Sequence, residues 1–479
     1  YRVSAQQLRE NRTAFVDSGL PDDVLAQSRV GLRLDGEPIA GPQLSIRAEL
    51  YRGDSSETLR LIDDFSVIPQ LNTRHGSIDT RGGSFSATWE REREDRGGWS
   101  ANLYFDRAAR DSMSFSLAQR TVSLSYDSRH LLGERHDLLW GLGWRKAEVP
   151  FREMPFLNYT QRRPTDDEVI LEGFVQDEVR LLDSLSLIVG TKLERTEATE
   201  AEWQPSVRFA WRPNQDFTVW AAVSRAVRTP SVGERSLRAL PSVVVPPGTP
   251  PIPLPVPLLV GVDGSPDLTP EELVAWEFGA RRRFASQFEL DVAAFYNQYD
   301  DLVGTSDNTV LCQPSGIVLA LDPTCLLAST HAIALGTLDG NEANSHGLEL
   351  VFRWQPAASW RLSGAVSGHR IDFEGPAVLE LAGNGEPRYV GYLQSLWSIN
   401  RSADFDLTVR SVDDVDRFGL DGYVALDARL GWRPRPGSTV ELVARNLLAD
   451  RHKEFGSTLR VIPMSEVESQ VVTRVTWTP

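Results

Sequence analysis

Apolar and polar residues alternate along most of this chain, in segments near the roughly ten residues that cross an outer membrane as a tilted strand. Within residues 288–297 the even-numbered positions are apolar or aromatic, whereas Glu289 and Asp291 fall between them. A period of two places successive side chains on opposite faces of a β-strand. The alternation continues from end to end with no linker and no change in composition. It therefore predicts one all-β domain over residues 1–479 with about twenty strands.

The connections between these strands alternate between short and long. Short turns follow residues such as Leu182 and Pro213, whereas Gly53–Gly82, Pro230–Glu271 and Gly304–Ser345 form long loops. An up-and-down meander with its short turns at one end is typical of a transmembrane antiparallel β-barrel. A soluble sandwich would mix its two ends through crossing connections, and a propeller would repeat a motif about every 40–50 residues. The sequence shows neither feature, so the barrel is the predicted fold class.

Hydropathy does not exclude a membrane location for such a barrel. The mean hydropathy is -0.27, and no run approaches the roughly 18 apolar residues of a transmembrane helix. Only every second residue of a barrel strand faces lipid, so this test does not apply to barrels. Many tryptophans lie near strand ends, where interfacial girdles are expected. They are Trp89, Trp99, Trp140, Trp144, Trp211, Trp354, Trp360, Trp432 and Trp477.

The only two cysteines, Cys312 and Cys325, are separated by a short loop that contains proline and glycine. Two lone cysteines this close are predicted to form one disulfide, which implies an oxidising compartment. Such a bond would contribute about 3 kcal/mol in the chain-entropy account. Two unrelated thiols are the alternative. A two-cysteine metal site is disfavoured, because further ligands at the usual spacing are missing nearby.

Charge and motifs argue against nucleic-acid binding and against enzymatic activity. The net charge of -16 is opposite to the basic surface that nucleic acids favour. The sequence has no H-E-x-x-H, G-x-S-x-G or P-loop motif, and its seven histidines are scattered. Adjacent carboxylates such as Asp300 and Asp301 point to opposite faces of a strand, which separates them as an acid/base pair. We therefore expect no catalytic residues, no metal site and no cofactor.

Several short pieces, taken in order, resemble one protein family. They are Phe174–Glu178, Trp220–Ser231, Leu268–Glu271, Glu277–Gly279, Ala294–Asp301 and Ala444–Asp450. With this order and spacing, the chain resembles the barrel of TonB-dependent outer-membrane receptors over nearly its whole length. The resemblance implies a barrel of about 22 strands around an N-terminal plug. This sequence contains neither the plug nor a TonB box, so we expect an N-terminally truncated barrel whose missing parts lie upstream of Tyr1.

The resemblance implies a function in transport across the bacterial outer membrane. Uptake of a scarce nutrient would be energised by the TonB–ExbB–ExbD system acting through the plug, and the barrel would contact outer-membrane lipid and lipopolysaccharide. A ferric siderophore is the favoured cargo, and cobalamin, haem or an oligosaccharide are alternatives. Haem is less favoured, because the Phe-Arg-Ala-Pro of haem receptors is replaced by Val227–Pro230. A passive porin and a soluble all-β protein are the rivals from other classes.

In such receptors the ligand is captured by external loops and the plug apex. By position, the candidate ligand-binding residues at the rim are Arg225, Arg228, Glu234, Arg235, Tyr296, Tyr299 and Asp300. Arginine suits the anionic oxygens of a ferric chelate, because its guanidinium forms bidentate hydrogen bonds. The same arginines could instead pair with carboxylates of the barrel interior or with lipopolysaccharide phosphates. The proline-rich stretch Val243–Pro257 is predicted to be a stiff loop that acts as a lid or as a spacer.

Overall fold

The computed structural model describes most of the chain. The described ranges are 1–10, 14–15, 25–36, 41–62, 71–93, 97–113, 116–152, 158–161, 165–245, 258–285, 287–305, 309–312, 331–374, 385–448, 451–454 and 465–477.

The described residues form 27 strands, one short α-helix and one 3-10 helix. The strands are β1 (Arg2–Glu10), β2 (Ala14–Phe15), β3 (Leu25–Gly36), β4 (Gln43–Ile62), β5 (Leu71–Arg93), β6 (Gly97–Asp111), β7 (Ser116–Leu132), β8 (His136–Arg152), β9 (Asn158–Gln161), β10 (Thr165–Leu182), β11 (Leu185–Thr196), β12 (Glu202–Asn214), β13 (Phe217–Arg228), β14 (Leu237–Val245), β15 (Leu258–Asp263), β16 (Glu271–Phe284), β17 (Phe288–Thr305), β18 (Thr309–Cys312), β19 (His331–Ala357), β20 (Trp360–Glu374), β21 (Tyr389–Asn400), β22 (Ala403–Val412), β23 (Tyr423–Arg435), β24 (Ser438–Arg445), β25 (Arg451–His452), β26 (Ser465–Glu468) and β27 (Gln470–Trp477). The helices are α1 (Val232–Ser236) and η1 (Asp416–Phe418).

Twenty of these strands form one antiparallel barrel wall. Each wall strand pairs with the next wall strand along the chain. The pairings β1–β3, β8–β10, β13–β16, β17–β19 and β24–β27 pass over shorter strands that lie in the connections. Those connecting strands form smaller pairings at the same end, including a parallel pairing of β15 with β19. The predicted up-and-down barrel with about twenty strands is confirmed.

The strand registers divide the wall into an apolar outer face and a polar inner face. Val207, Val223, Trp276 and Tyr296 lie side by side in one hydrogen-bonded row across four strands, and Trp276 is 52% exposed. The opposite face of the same strands carries charge, as in the Arg281–Asp291 ion pair with an Nε–Oδ2 distance of 2.7 Å. An apolar band facing outwards and a polar interior is the arrangement of a membrane barrel.

Aromatic residues bound the apolar band at both ends. On β12, β16 and β17 the outer-face aromatics are spaced eight residues apart, in the pairs Trp203 and Trp211, Trp276 and Phe284, and Phe288 and Tyr296. At about 3.3 Å per residue this spacing is roughly 26 Å along a strand, which corresponds to about 19–22 Å in height for strands tilted by about 35–45°. Among the nine tryptophans that were predicted to lie near strand ends, Trp360 begins β20 and Trp477 ends β27, whereas Trp144 lies in the middle of β8.

The structure differs from the sequence prediction at the edges of the long connections. Residues 53–82 were expected to form a loop, but the ladder between β4 and β5 continues through this region to the pair Ile62 and Leu71. The polar run Asp54–Ser56 has the composition of a turn, yet its backbone groups are paired with Ile78 and its neighbours. Cross-strand pairing overrides the local composition here.

The wall is one layer thick, and its described residues include few that are fully buried. The buried apolar residues are Ala147, Leu268, Ala343, Val415, Leu420 and Ala425. Stability therefore rests on the backbone ladder and on cross-strand side-chain pairs, with the outer face available to an apolar medium. Among the described residues, helices long and apolar enough to cross a bilayer are absent.

Candidate ligand-binding rim at the long-loop end

All seven predicted rim residues lie on three segments, β13, α1 and β17, which meet at the long-loop end of the wall. Arg228 ends β13 and pairs in register with Glu271, the first residue of β16. On the other side of β16, Glu272 pairs with Asp300 of β17. Helix α1, which carries Glu234 and Arg235, follows β13 after three residues.

The registers nevertheless place these residues on two different faces. Arg225 pairs with Val274, and Tyr296 pairs with Trp276, so both belong to the apolar outer face. Asp300 follows the same alternation and is also an outer-face residue. Arg228 and Tyr299 fall on the alternate positions, which face the interior. The sequence prediction grouped these residues as one rim, and the structure brings them to one end without bringing them to one surface.

Arg228 is held between two glutamates. Its Nε and Nη2 donate to the carboxylate of Glu271, with Nη2 at 2.6 Å from Oε1. Its Nη1 and Nη2 donate to Glu234 at 3.0 and 2.9 Å. A guanidinium has five N–H donors in a planar fork, so this arrangement leaves Arg228 without a free pair of donors for a bidentate contact to an anion.

Glu234 is also a capping residue of α1. The Ser231 hydroxyl accepts a hydrogen bond from the Glu234 N–H at 3.2 Å, while the Glu234 carboxylate accepts one from the Ser231 N–H at 2.7 Å. This reciprocal pair is a capping box. Partial burial opposes ionisation of Glu234, but the hydrogen bonds from Arg228 and Ser231 outweigh it and lower the pKa of that carboxyl below its ordinary value.

Arg228, Glu234 and Glu271 form a joint between β13, α1 and β16. Residues that the sequence did not single out tie the neighbouring loops to this joint. Glu271 Oε1 accepts a hydrogen bond from the Val303 N–H at 2.9 Å, which links β16 to β17. Asp339 accepts two hydrogen bonds of 2.6 Å from the N–H and hydroxyl of Thr269. Hydrogen bonds from the Thr269 hydroxyl and N–H lower the pKa of Asp339. Thr269 and Glu271 lie in one of the pieces that carry the family resemblance, but their partners are distant in sequence.

On the outer face, Arg225 is engaged by two acidic residues and a carbonyl. Its guanidinium donates to Glu272, with Nε at 3.1 Å from Oε2, and to Glu202 at 3.3 Å. It also donates to the backbone oxygen of Trp203. Two of the three predicted rim arginines, Arg225 and Arg228, are therefore bound to four glutamates in all. For Arg228, on the inner face, these partners are the interior carboxylates that the alternative interpretation named.

The two tyrosines follow the same division. The Tyr296 hydroxyl donates to Asn344 Oδ1 at 3.0 Å on the outer face. The Tyr299 hydroxyl accepts a longer hydrogen bond of 3.4 Å from Asn297 Nδ2 on the inner face. Tyr299 therefore retains its own hydroxyl proton as a donor towards the interior. Arg235 donates from Nε to the carbonyl oxygen of Pro230 at 3.1 Å.

A second polar cluster lies at the same end, on β23 and the connection after β24. The Tyr423 and His452 rings stack with centroids 3.9 Å apart, and both donate to Glu454 Oε1, at 3.0 Å from Tyr423 and 2.9 Å from His452 Nε2. The His452 side chain is 7% exposed. Burial opposes ionisation of Glu454, but these two hydrogen bonds outweigh it and lower the pKa of Glu454. The sequence does not indicate this cluster, because its histidine is one of seven that are scattered along the chain without the spacing of a known motif.

Two predicted features fall outside the described residues. They are the Cys312–Cys325 disulfide, which needs Cys325 and the Cys312 side chain, and most of the proline-rich stretch Val243–Pro257. In the part of the chain that the structure describes, clusters of three or more potential metal ligands are absent.

Solved structures with the same fold are receptors and transporters. A mutant ferric enterobactin receptor, PfeA, from Pseudomonas aeruginosa has a TM-score of 0.71 at 13% identity, with 98% of this chain and 72% of that chain covered. The siderophore receptor PirA from Acinetobacter baumannii has a TM-score of 0.67 at 11% identity, with coverage of 94% and 71%. The FrpB iron transporter from Neisseria meningitidis has a TM-score of 0.70 at 12% identity, with coverage of 99% and 76%. At these identities the likeness shows the fold alone.

A search of curated proteins found no match. The family model described as TonB dependent receptor-like, beta-barrel matches residues 31–447, which is most of the chain. The predicted resemblance is thereby confirmed. The chain belongs to the TonB-dependent receptor β-barrel family, a family of bacterial outer-membrane transport receptors.

Proposed function

We propose that this chain forms the barrel of an outer-membrane receptor that takes up a scarce nutrient with energy from the TonB–ExbB–ExbD system. The observation that carries the proposal is the family match over residues 31–447. A polar inner wall that opens onto a rim of long connections supports it, because a transport route needs a polar interior with a binding surface at one mouth. Residues 1–479 act as one barrel domain in this proposal, and the protein binds and moves its cargo without covalent chemistry.

The proposed location is the bacterial outer membrane. The apolar outer face between the aromatic girdles would contact lipid, with lipopolysaccharide on the side of the long connections. The short turns then lie in the periplasm and the long connections outside. A nucleic-acid partner is not part of this proposal.

A ferric siderophore is the cargo that we favour. The structurally similar proteins include receptors named for ferric enterobactin and for siderophores and a transporter named for iron. We place the ligand contacts on the inner face of the rim, at Tyr299 and at the joint of Arg228 and Glu234, with Arg235 beside it. Arg225, Tyr296 and Asp300 are assigned to the outer surface.

The electrostatics of the joint favour recognition through hydrogen bonds. Because the donors of Arg228 are taken up by Glu234 and Glu271, an anionic chelate would find no free bidentate contact at this arginine. A neutral or cationic chelate would not depend on such a contact. Hydroxyl groups such as that of Tyr299 would then supply the direct contacts.

The decisive experiment measures uptake in cells that express the full-length protein. Iron-limited cells would be given radiolabelled ferric siderophores of different net charge, with cobalamin, haem and an oligosaccharide as competing cargoes. We expect saturable uptake of one ferric siderophore that disappears in a TonB-deficient strain. Uptake that persists without TonB would indicate a passive pore, and TonB-dependent uptake of another cargo would overturn the siderophore assignment.

A further inference from the structure

A groove of about 1200 Å³ crosses the outer face of the wall from β5 to β12. One hydrogen-bonded row of residues runs along it, each paired with the next across adjacent strands. The row is Trp89, Ala101, Tyr126, Leu142, Gly173, Leu193 and Trp203. All seven residues line the groove.

The row spans the apolar band from one aromatic girdle to the other. Trp89 lies near the short-turn end of β5, and Trp203 lies at the long-loop end of β12. Six strand-to-strand steps of about 4.8 Å give a length of roughly 29 Å. Because barrel strands tilt by about 35–45°, the row rises obliquely and covers about 17–20 Å of the height of the bilayer.

Small residues lower the floor of the groove, and large apolar residues form its sides. Ala101 and Gly173 interrupt the row between aromatic and leucine side chains. A Cβ atom at Gly173 would lie 3.2 Å from Leu142 Cδ2, which is a tight contact, so a side chain at this position would displace the leucine beside it. The result is a channel for a thin, flexible apolar group.

One cation lines the long-loop end of this groove. Arg195 pairs in register with Leu171 on the outer face and is the penultimate residue of β11. Among the described residues it has no hydrogen-bond or ion-pair partner. By contrast, Lys192 on the inner face of the same strand binds Glu172 and Glu194 at 2.7 Å each. Arg195 therefore offers an unoccupied guanidinium where the apolar band ends.

We propose that this groove binds a phosphorylated membrane lipid, with an acyl chain along the row from Gly173 and the phosphate on Arg195. The proposal rests on the proposed outer-membrane location. An apolar groove within the bilayer band and a lone cation at its outer end match the two parts of such a lipid. Guanidinium binds phosphate in a bidentate manner, and each buried methylene of the chain adds to affinity. This lipid would be retained at one position, unlike the exchanging lipid around the rest of the barrel.

The test compares lipid retention by variants of the full-length protein extracted from outer membranes. Gly173→Leu would fill the groove, and Arg195→Ala would remove the cation at an exposed position near the end of β11. Gly391→Leu is the matched control, because Gly391 lies on the outer face of β21 and its added Cβ would meet Val366 at a similar 3.3 Å. Native mass spectrometry after mild detergent extraction would count bound lipid, and heat-modifiable mobility in gels would verify folding.

We expect one lipid adduct on the wild type and on Gly391→Leu, and at least a tenfold lower adduct fraction on Gly173→Leu and Arg195→Ala. Equal retention by all four proteins would overturn the inference, as would a wild type in the outer membrane that carries no lipid. An added mass of protein size would assign the groove to a protein partner and would also overturn it. Absence of the wild type from the outer-membrane fraction would instead contradict the proposed function.

Discussion

Arg228 and Glu271 face each other across the register of β13 and β16, and they form a two-point ion pair at the base of the longest connection. The same glutamate accepts the backbone N–H of Val303 from β17. One carboxylate therefore joins three strands, and Arg228 extends the joint to α1 through Glu234. Arg228, which we propose as part of the ligand-binding surface, therefore also fixes the position of the loops around it.

Replacing Arg228 with glutamine should loosen this joint. The guanidinium is half exposed, so solvent screening reduces the effect to about 1 kcal/mol. Because about 1.4 kcal/mol corresponds to a tenfold change in an equilibrium constant, we expect the Val303 amide to exchange with solvent roughly fivefold faster. Hydrogen exchange followed by mass spectrometry would measure it. Arg281→Gln, at the other end of the wall, is the control, and equal acceleration in both variants would contradict a local joint.

A close approach of side chain and backbone on the inner face gives a second prediction. The Trp220 ring lies over Gly279, its partner in register, and an added Cβ there would come within 2.4 Å of the ring. Gly279→Ala must displace the indole, an overpacking that costs about 1–3 kcal/mol. We expect a lower unfolding temperature in a gel-mobility assay. Gly36→Ala, whose Cβ would have its nearest neighbour at 3.7 Å, should leave that temperature unchanged.

The fold was predictable because its determinants are local. The period of two and the alternation of connection lengths identify an up-and-down barrel from residues that are close in sequence. The extension of β4 and β5 beyond Gly53 was missed, because polar residues there resemble a turn. Whether such a segment forms a ladder depends on its partner strand, which begins at Leu71.

The candidate site was predictable in position but not in partners. Alternation along β17 already implies that Tyr296 and Tyr299 point to opposite faces, although sequence analysis grouped them as one rim. The acceptors of Arg228 include Glu271, which lies 43 residues away. The local sequence pattern does not indicate an ion pair between residues so far apart. Only the structure shows that the hydrogen-bond donors of Arg228 are already bound to glutamates.

The cluster of Tyr423, His452 and Glu454 predicts a response to acid. Because hydrogen bonding lowers the folded-state pKa of Glu454, its contribution to stability is fully present above the unfolded pKa of about 4.3 and is lost as pH falls through the lower folded value. Below about pH 4, residues 451–454 should therefore gain amide exchange beyond the intrinsic pH effect. Glu454→Gln should remove this acid-dependent step. A step of the same size in that variant would assign it to another group.

The division of the rim into two faces leads to a matched pair of variants in the full-length protein. Tyr299 faces the interior with a hydroxyl proton free to donate, whereas the Tyr296 hydroxyl donates to Asn344 on the outer surface. If cargo binds inside the rim, Tyr299→Phe removes one hydrogen bond, worth about 0.5–1.5 kcal/mol. We therefore expect Tyr299→Phe to raise the Kd for the transported chelate roughly two- to tenfold, as measured by titration calorimetry. Tyr296→Phe should leave that Kd unchanged. The reverse order of effects would move the binding surface to the outer face. Equal weakening by both variants would indicate a general disturbance of β17, because the two hydroxyl groups share no partner.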